Sequence, residues 1–590
     1  MKTLQQLHET ILQTNIATLL SSNQQSEYKD STKPFSIYFL SNFTVNQIEH
    51  ILSFYLRESN MVPTVVFGQY DNAMQELLDN NSLLYRQNYD AIVCALMYNP
   101  FEPTFIDRLK DVTSFIAELK TLFDLANQKT SALILINTIC LPLYSENGIT
   151  TIAQSDRTDA CLAINTFIRS YTHEHAGRFF LLDWGRYVSI LGEAQSFDYR
   201  YWQMYEAPFK KAFLSLYASD ITKIARALHG DAKKCLILDC DNTLWGGIVG
   251  EDGLNHIQLD PHVYPGRIFY QFQQTVLELI RRGVIIALCS KNNENEVWNV
   301  LDHHPYSLLR RSHVAATQIN WDDKANNIVK IITTLNIGIE SCVFVDDSPT
   351  ECELVTHAIP ELTVIRVPQR IYEFPLLLLK EGLFDTLAIS QADGDRNVQY
   401  QTETKRKQLL TQVHNISDYL AALELKAMIG PVVDHDIMRV TQLTQKTNQF
   451  NLSTRRYTQQ QIESLQKSKE SAVYSLKVED KFGDYGLTGV LIARRDGEKG
   501  IIDSFLMSCR ILSRHIEYVF LEHCMNQLSK LWNIHLWEAE YLKSDKNQQM
   551  KTFLEKAGFY HVREEIYTLN TQNWTGYNIN HILVKEVSYA

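Results

Sequence analysis

Residues Cys235–Gly253 read CLILDCDNTLWGGIVGEDG. The run CLIL has the length and apolar content of a short strand buried on both faces. It leads into two aspartates, Asp239 and Asp241, with Cys240 between them. A carboxylate at the end of a buried strand is costly to desolvate unless something compensates it. Two later runs end the same way. GVIIALCSKN ends at Ser290, with Lys291 and Asn292 following, and SCVFVDDSP ends at Asp346 and Asp347. Between them, WDDKANNIVKII places Lys324 near the start of a helix. Ligands of a parallel α/β sheet collect at the C-terminal ends of its strands. The pattern therefore predicts several carboxylates, a hydroxyl and a lysine on one sheet edge.

That set has a coherent chemistry. Clustered carboxylates raise one another's proton affinity unless a hard cation sits among them. Mg²⁺ is held in this way, by one or two carboxylates with substrate phosphate and water. One carboxylate serves as the nucleophile of phosphoryl transfer, and a second, two residues on, as general acid and base. A hydroxyl and an ammonium hold phosphate oxygens and offset developing charge. For Asp346 alone a supporting or capping role is also open. The stretches Thr243–Ser290 and Ser290–Lys324 are too short for a large cap domain, so the site is expected to stay open to bulky partners.

Working outward, the 590 residues suit several domains. Hydrophobic residues make up 45% and charged residues 21%, an ordinary globular balance. The net charge of −12 argues against nonspecific nucleic-acid binding, which favours basic proteins. No apolar run reaches the length of a membrane span, and the N-terminus is too polar for a secretory signal. The ten cysteines form no CxxC pair and mostly sit in apolar runs, so they read as reduced residues of a cytoplasmic protein. Residues 1–225 alternate apolar runs such as FSIYFLSN, YDAIVCALM and SALILINTI with helix-length segments, the pattern of βα units. Residues 228–385 repeat it. SQADGDRNVQYQTETKRKQ reads as a polar helix or linker, and 405–590 carry the longer alternating strands of an α+β domain.

The ordered elements DxDxT, Ser, Lys and DD resemble the haloacid-dehalogenase (HAD) superfamily. The longer block LDCDNTLWGGIVGEDG, with CSKNNENEV, TNQFNLSTRRYT, DKFGDYGLTGV and FLMSCRILSRHIE, resembles its FkbH-like family. The resemblance implies a capless HAD core. Asp239 is then the nucleophile, and Asp241 the acid/base, with its main-chain carbonyl a metal ligand. Thr243 supports the loop, Ser290 and Lys324 bind phosphate, and Asp347 with Asp346 completes the Mg²⁺ site. It further implies removal of phosphate from 1,3-bisphosphoglycerate and transfer of the glyceryl unit, as a thioester, to an acyl carrier protein in polyketide-type biosynthesis. Cys240 is the favoured carrier of an enzyme thioester, with Cys289 and Cys509 as rivals; as a small apolar filler Cys240 would have no such part. A phosphatase acting on another small phosphate ester and a non-catalytic scaffold remain alternatives.

The flanks carry weaker resemblances. Residues 405–590 resemble a GNAT-type acyltransferase fold, with SFLMSC as central strand and RILSRH as the phosphate loop. Its usual glycines are replaced by side chains, which disfavours close approach of a pyrophosphate. Arg510 and Arg514 are candidates to meet a phosphopantetheine phosphate. Acyl-CoA catalysis, handling of an acyl carrier and a structural role all stay open. Residues 1–225 resemble an SGNH-hydrolase sheet with Ser41 at the nucleophile position. Neither the GDS motif nor an Asp-x-x-His pair is present, so this domain is expected to be non-catalytic.

Overall fold

The computed structural model describes residues 3–14, 18, 33–98, 111–144, 148–149, 157–388, 416–512, 514–544 and 547–586. The stretch read as a polar linker, from residue 390, lies outside them. The chain divides into two compact units, residues 1–229 with 458–461, and residues 230–457 with 462–590. Among the described residues no helix is long and apolar enough to cross a membrane.

The first unit holds a five-stranded parallel sheet. Its strands are β1 (Lys33–Ser41), β2 (Met61–Phe67), β3 (Ala91–Ala95), β4 (Leu133–Asn137) and β5 (Phe179–Leu182), in the order β2-β1-β3-β4-β5. β3 and β4 are buried along their whole length, as expected of strands covered by helices on both faces. The order reverses between β1 and β3, which makes their C-terminal edge the ligand side of this sheet.

The second unit holds two sheets. One is parallel and five-stranded, with β6 (Cys235–Leu238), β7 (Ile285–Ser290), β8 (Ala316–Ile319), β9 (Cys342–Asp346) and β10 (Thr363–Arg366) in the order β10-β9-β6-β7-β8. Its core has two faces. Leu236, Leu238 and Cys240 pack in one apolar cluster, while Cys235, Ile237 and Phe344 pack in the other. The helix Gly266–Arg281 covers the first face, and its Phe272 stacks on Phe374 at 3.9 Å between ring centroids. Strand order reverses between β6 and β9. The crevice at their C-terminal ends is the topological switch point, where ligands of such sheets bind.

The remaining sheet is mixed and eight-stranded. Its strands are β11 (Leu425–Pro431), β12 (Ser471–Asp480), β13 (Gly483–Asp496), β14 (Lys499–Met507), β15 (Leu536–Glu540), β16 (Tyr560–Arg563), β17 (Ile566–Asn570) and β18 (Ile582–Glu586), in the order β16-β17-β15-β14-β13-β12-β11-β18. β11 to β14 form antiparallel neighbours, and β14 pairs with β15 in parallel. The helix Ile516–Trp532 supplies Phe520, Cys524 and Leu528 to the core of this sheet. The chain is thus a multidomain α/β protein with parallel sheets and a separate α+β region.

Candidate active site

Asp239 follows β6 directly, and its amide N–H donates to Val345 O at 3.0 Å. Asp346 ends β9. The helix Lys324–Leu335 begins at Lys324 because Asp323 caps it, its side chain accepting from Asn326 N. The lysine is thereby set at the sheet edge. Its Nζ donates to Asp239 Oδ1 at 2.8 Å and to Asp346 Oδ2 at 2.6 Å. All three side chains are buried. Ser348 N donates to Asp346 Oδ1 at 2.8 Å and caps the next helix. Asp347 completes the group: Asp239, Asp346 and Asp347 each offer a carboxylate oxygen, all lying within 4.8 Å of one another.

The electrostatics of this cluster are unbalanced. Burial, with Asp346 adding to it, pushes Asp239 up to about 7 although Lys324 and Ser290 pull the other way. Asp347 is raised by burial and by Asp346. Lys324 is raised by the two carboxylates it faces, which outweigh its own burial. Three carboxylates therefore face one ammonium, and the excess negative charge fits a hard divalent cation held by oxygen ligands. The donor set contains no sulfur or imidazole, which suits Mg²⁺ better than a softer metal.

Asp241 lies two residues on, and its side chain is held elsewhere. Trp245 Nε1 donates to Oδ1 at 2.8 Å, Val249 N to Oδ1 at 3.1 Å, and Asn292 Nδ2 to Oδ2 at 2.9 Å. The same Asn292 amide donates to Ser290 Oγ at 3.2 Å. Ser290 is buried, and its hydroxyl hydrogen-bonds Asp239. Thr243 is fully buried with its N–H on Cys240 O at 3.2 Å, and its Oγ1 has no protein partner. The structure thus brings Asp239, Asp346, Asp347, Lys324 and Ser290 together. It places Asp241 at the flap, with its carboxylate outside the metal-type cluster. Two asparagines absent from the sequence-predicted set also matter. Asn292 ties Asp241 to Ser290, and Asn242, in the left-handed region at φ 52°, hydrogen-bonds Asp347 and accepts from Gly247 N at 2.9 Å. A non-glycine residue with positive φ right after the DxD is unusual, and asparagine tolerates it best. That was the available signal.

The Cys240 side chain is fully buried in the apolar cluster that holds Leu238, Leu244 and Trp245, and it lies near Ser290. Burial and the neighbouring Asp239 push its thiol well above the ordinary range. A raised thiol is a poorer nucleophile, and the thioester role of Cys240 stays an expectation. Cys289 is buried too, with its thiol pushed up to about 12. The side chain of Cys509 lies outside the described residues.

In the α+β region the structure adds a feature the sequence did not announce. β14 and β15 pair only from Lys499–Leu536 to Ile502–Ala539 and then part. The segment Phe450–Ser453 fills the gap. Leu452 N donates to Phe505 O at 2.9 Å on one side, and Leu452 O accepts from Leu542 N at 3.2 Å on the other. Met507 N donates to Phe450 O at 3.0 Å, and Ser453 Oγ to Asp503 O at 2.8 Å. Two buried asparagines lock this wedge: Asn547 Nδ2 donates to Asn451 O, and Asn451 Nδ2 to Thr447 O. The slot between the strands is closed by the chain itself. The guanidinium of Arg514, expected at a phosphate, is buried on the ring of Tyr485, 5.1 Å from the centroid, and donates to the Tyr485 hydroxyl. Arg510 is half-buried, with Nε on Ser508 Oγ at 3.3 Å.

Ser41, at the end of β1, donates its hydroxyl to Phe43 O at 2.7 Å and accepts from Phe43 N at 3.2 Å. Among the described residues no histidine is hydrogen-bonded to it.

Residues 234–362 match the family of NLI interacting factor-like phosphatases. They form a HAD-type phosphatase domain. The crystal structure of the N-terminal part of the protein BF1531 from Bacteroides fragilis, containing a phosphatase domain complexed with Mg, is similar at 24% identity and a TM-score of 0.57. The match covers 64% of this chain and 100% of that one. The ribosomal-protein-S18-alanine N-acetyltransferase of Escherichia coli matches at 12% identity, TM-score 0.20, over 26% of this chain and 99% of its own. The GNAT domain of PAT from S. lividans matches at 13% identity, TM-score 0.20, over 24% of this chain and 89% of its own. None of the curated proteins matches the chain.

Proposed function

We propose that this chain is a Mg²⁺-dependent enzyme that removes phosphate from a 1,3-bisphosphoglycerate-type substrate and delivers the glyceryl unit to the thiol of an acyl carrier protein. The observation that carries the phosphoryl-transfer part is the position of Lys324 between Asp239 and Asp346, with Asp347 in the same carboxylate cluster at the switch point. Asp239, Asp346 and Asp347 would hold the cation, which neutralises phosphate charge when bound. An oxygen of Asp239 attacks the phosphorus of the C3 ester and the C3 oxygen leaves, taking a proton from Asp241, while the carrier thiol, losing its proton, attacks the C1 carbonyl and displaces the C1 phosphate to give the thioester. Water then releases phosphate from the aspartyl-phosphate, with Asp241 now the base. Lys324 and Ser290 hold the phosphate oxygens. The uncapped edge and the resemblance of the blocks outside the HAD core support a macromolecular acceptor. A plain phosphatase is the second reading, and the burial of Cys240 is the observation that favours it.

Intact-protein mass spectrometry separates the two. The protein is mixed with Mg²⁺, 1,3-bisphosphoglycerate and a phosphopantetheinylated carrier. Glyceryl transfer adds a glyceryl mass to the carrier and none in Asp239→Asn, whereas a plain phosphatase releases phosphate and leaves the carrier unmodified. Repeating it with Cys509→Ala asks whether that thiol takes part.

A further inference from the structure

The first unit contains a cavity of about 190 Å³ that the phosphatase chemistry does not use. It opens beside the switch point of that sheet, on residues that follow β3 and β4: Met97, Cys140, Leu141 and Leu143 form its apolar floor. The other wall is the segment Glu193–Trp202, which supplies Phe197, Tyr199 and Trp202, while Tyr144 closes the set. Phe197 and Trp202 stack at 5.7 Å between centroids, and Tyr199 stacks on Trp202 at 6.0 Å. Among the described residues one charged group lines the cavity, the carboxylate of Glu193. Tyr144 donates to its Oε2 at 2.7 Å and Tyr199 to its Oε1 at 2.7 Å. These two phenols hold Glu193 below the usual carboxylate range, so it is an anion at neutral pH. No lysine or arginine is among the lining residues. Arg200, in the same wall segment, is exposed and is not one of the described lining residues, and Lys210 Nζ donates to Ala194 O at 2.7 Å.

Four aromatic rings, an apolar floor and a fixed carboxylate are complementary to one class of ligand. A tetraalkylammonium group presents methyl surface to the rings, is drawn to their negative faces, and gains from the adjacent anion. An anionic ligand would face Glu193 unpaired, and a neutral apolar one would leave that charge unused. Each carboxylate oxygen accepts one phenol and keeps a second lone pair for a ligand. We propose that the first unit is a binding module for an organic cation of the quaternary or alkylated ammonium class, seated between Glu193 and the rings of Tyr144, Phe197, Tyr199 and Trp202. This reading does not depend on the phosphatase reaction.

The test uses choline and its neutral isostere 3,3-dimethylbutan-1-ol, titrated separately into the full-length protein by isothermal calorimetry. Choline is expected to bind saturably, at least about tenfold tighter than the alcohol. Glu193→Gln is expected to remove most of that preference and leave the alcohol unchanged. Tyr144→Ala, at an exposed position that does not threaten folding, is expected to weaken choline severalfold, with the circular dichroism spectrum confirming the fold. Equal affinity for the two compounds overturns the proposal in favour of a merely apolar cavity. Absence of saturable choline binding to the wild type overturns it outright.

Discussion

Asn292 and Asp241 meet at 2.9 Å across the ends of β7 and β6, and the same amide reaches Ser290. In the reaction proposed above, this asparagine orients Asp241, the general acid. Asn292→Ala leaves two donors on Asp241, those of Trp245 and Val249. Phosphatase kcat is expected to fall roughly tenfold to a hundredfold with KM little changed, a magnitude typical of lost orienting contacts around a catalytic group. A selective rise in KM in steady-state assays would instead make Asn292 a substrate contact.

Lys324 is the one cation between two buried carboxylates. Lys324→Met leaves both without it. Removing one partner of a buried ion pair costs about 3–5 kcal/mol. The metal-free variant should therefore melt well below the wild type, and saturating Mg²⁺ should restore more stability to the variant than it adds to the wild type. Thermal unfolding with and without Mg²⁺ measures this; an equal Mg²⁺ effect on both proteins contradicts it.

Cation binding should depend on pH in a defined direction. Asp239 stands at about 7 in the metal-free protein and Asp347 is also raised. Below that pH a proton occupies the cluster and the cation must displace it. Mg²⁺ affinity is expected to rise from pH 6 to pH 8 and then level off, with proton release near pH 7. Calorimetry in two buffers of different ionisation enthalpy detects the released proton. Identical apparent enthalpies in both would show that no proton leaves.

Asp239→Asn should separate activity from stability. Turnover is expected to drop by on the order of 10³-fold or more, as for loss of a nucleophile. The folded-state value of Asp239 is raised above the unfolded one of 3.8, so its ionisation costs stability as pH rises through about 7. Without metal, the variant's stability gain over the wild type should be largest at pH 8 and clearly smaller at pH 5, where only part of the window from 3.8 to about 7 has been crossed. Urea unfolding at the two pH values checks the sign.

The wedge rests on Asn547, whose side-chain amide donates to Asn451 O and Leu542 O. Asn547→Ala orphans buried carbonyls, each worth about 1–3 kcal/mol. Hydrogen exchange at Leu452 and Leu542 should accelerate in the variant, while the phosphatase site keeps its activity. Unchanged protection at these amides would mean that Asn547 does not hold the segment.

Much of the central site is legible in the sequence, because its parts are local. Each apolar run is a strand, and each polar residue at its end lands on the ligand edge. Alternation also places Leu236 and Leu238 in one apolar cluster and Cys235 and Ile237 in the other. Asn292 escapes such a reading because its partner lies on another strand. The wedge escapes it further, since Leu452 finds Phe505 and Leu542 only after three separate segments have come together. The aromatic cavity of the first unit joins residues after β3 and β4 with a helical turn far along the chain, a juxtaposition no local pattern encodes.

The segment Phe450–Ser453 also decides where this chain can be cut. It acts as a donor strand, supplied in cis to a split sheet. A fragment starting beyond Ser453 would present the inner edges of β14 and of the stretch after β15 with their backbone groups unpaired, and open edges of that kind recruit strands from other molecules. Such fragments also lack β11, which joins β12 to β18, so they should aggregate, and rescue by strand addition should need a peptide spanning residues 425–454. A fragment beginning before β11 keeps its own stopper and should stay monomeric.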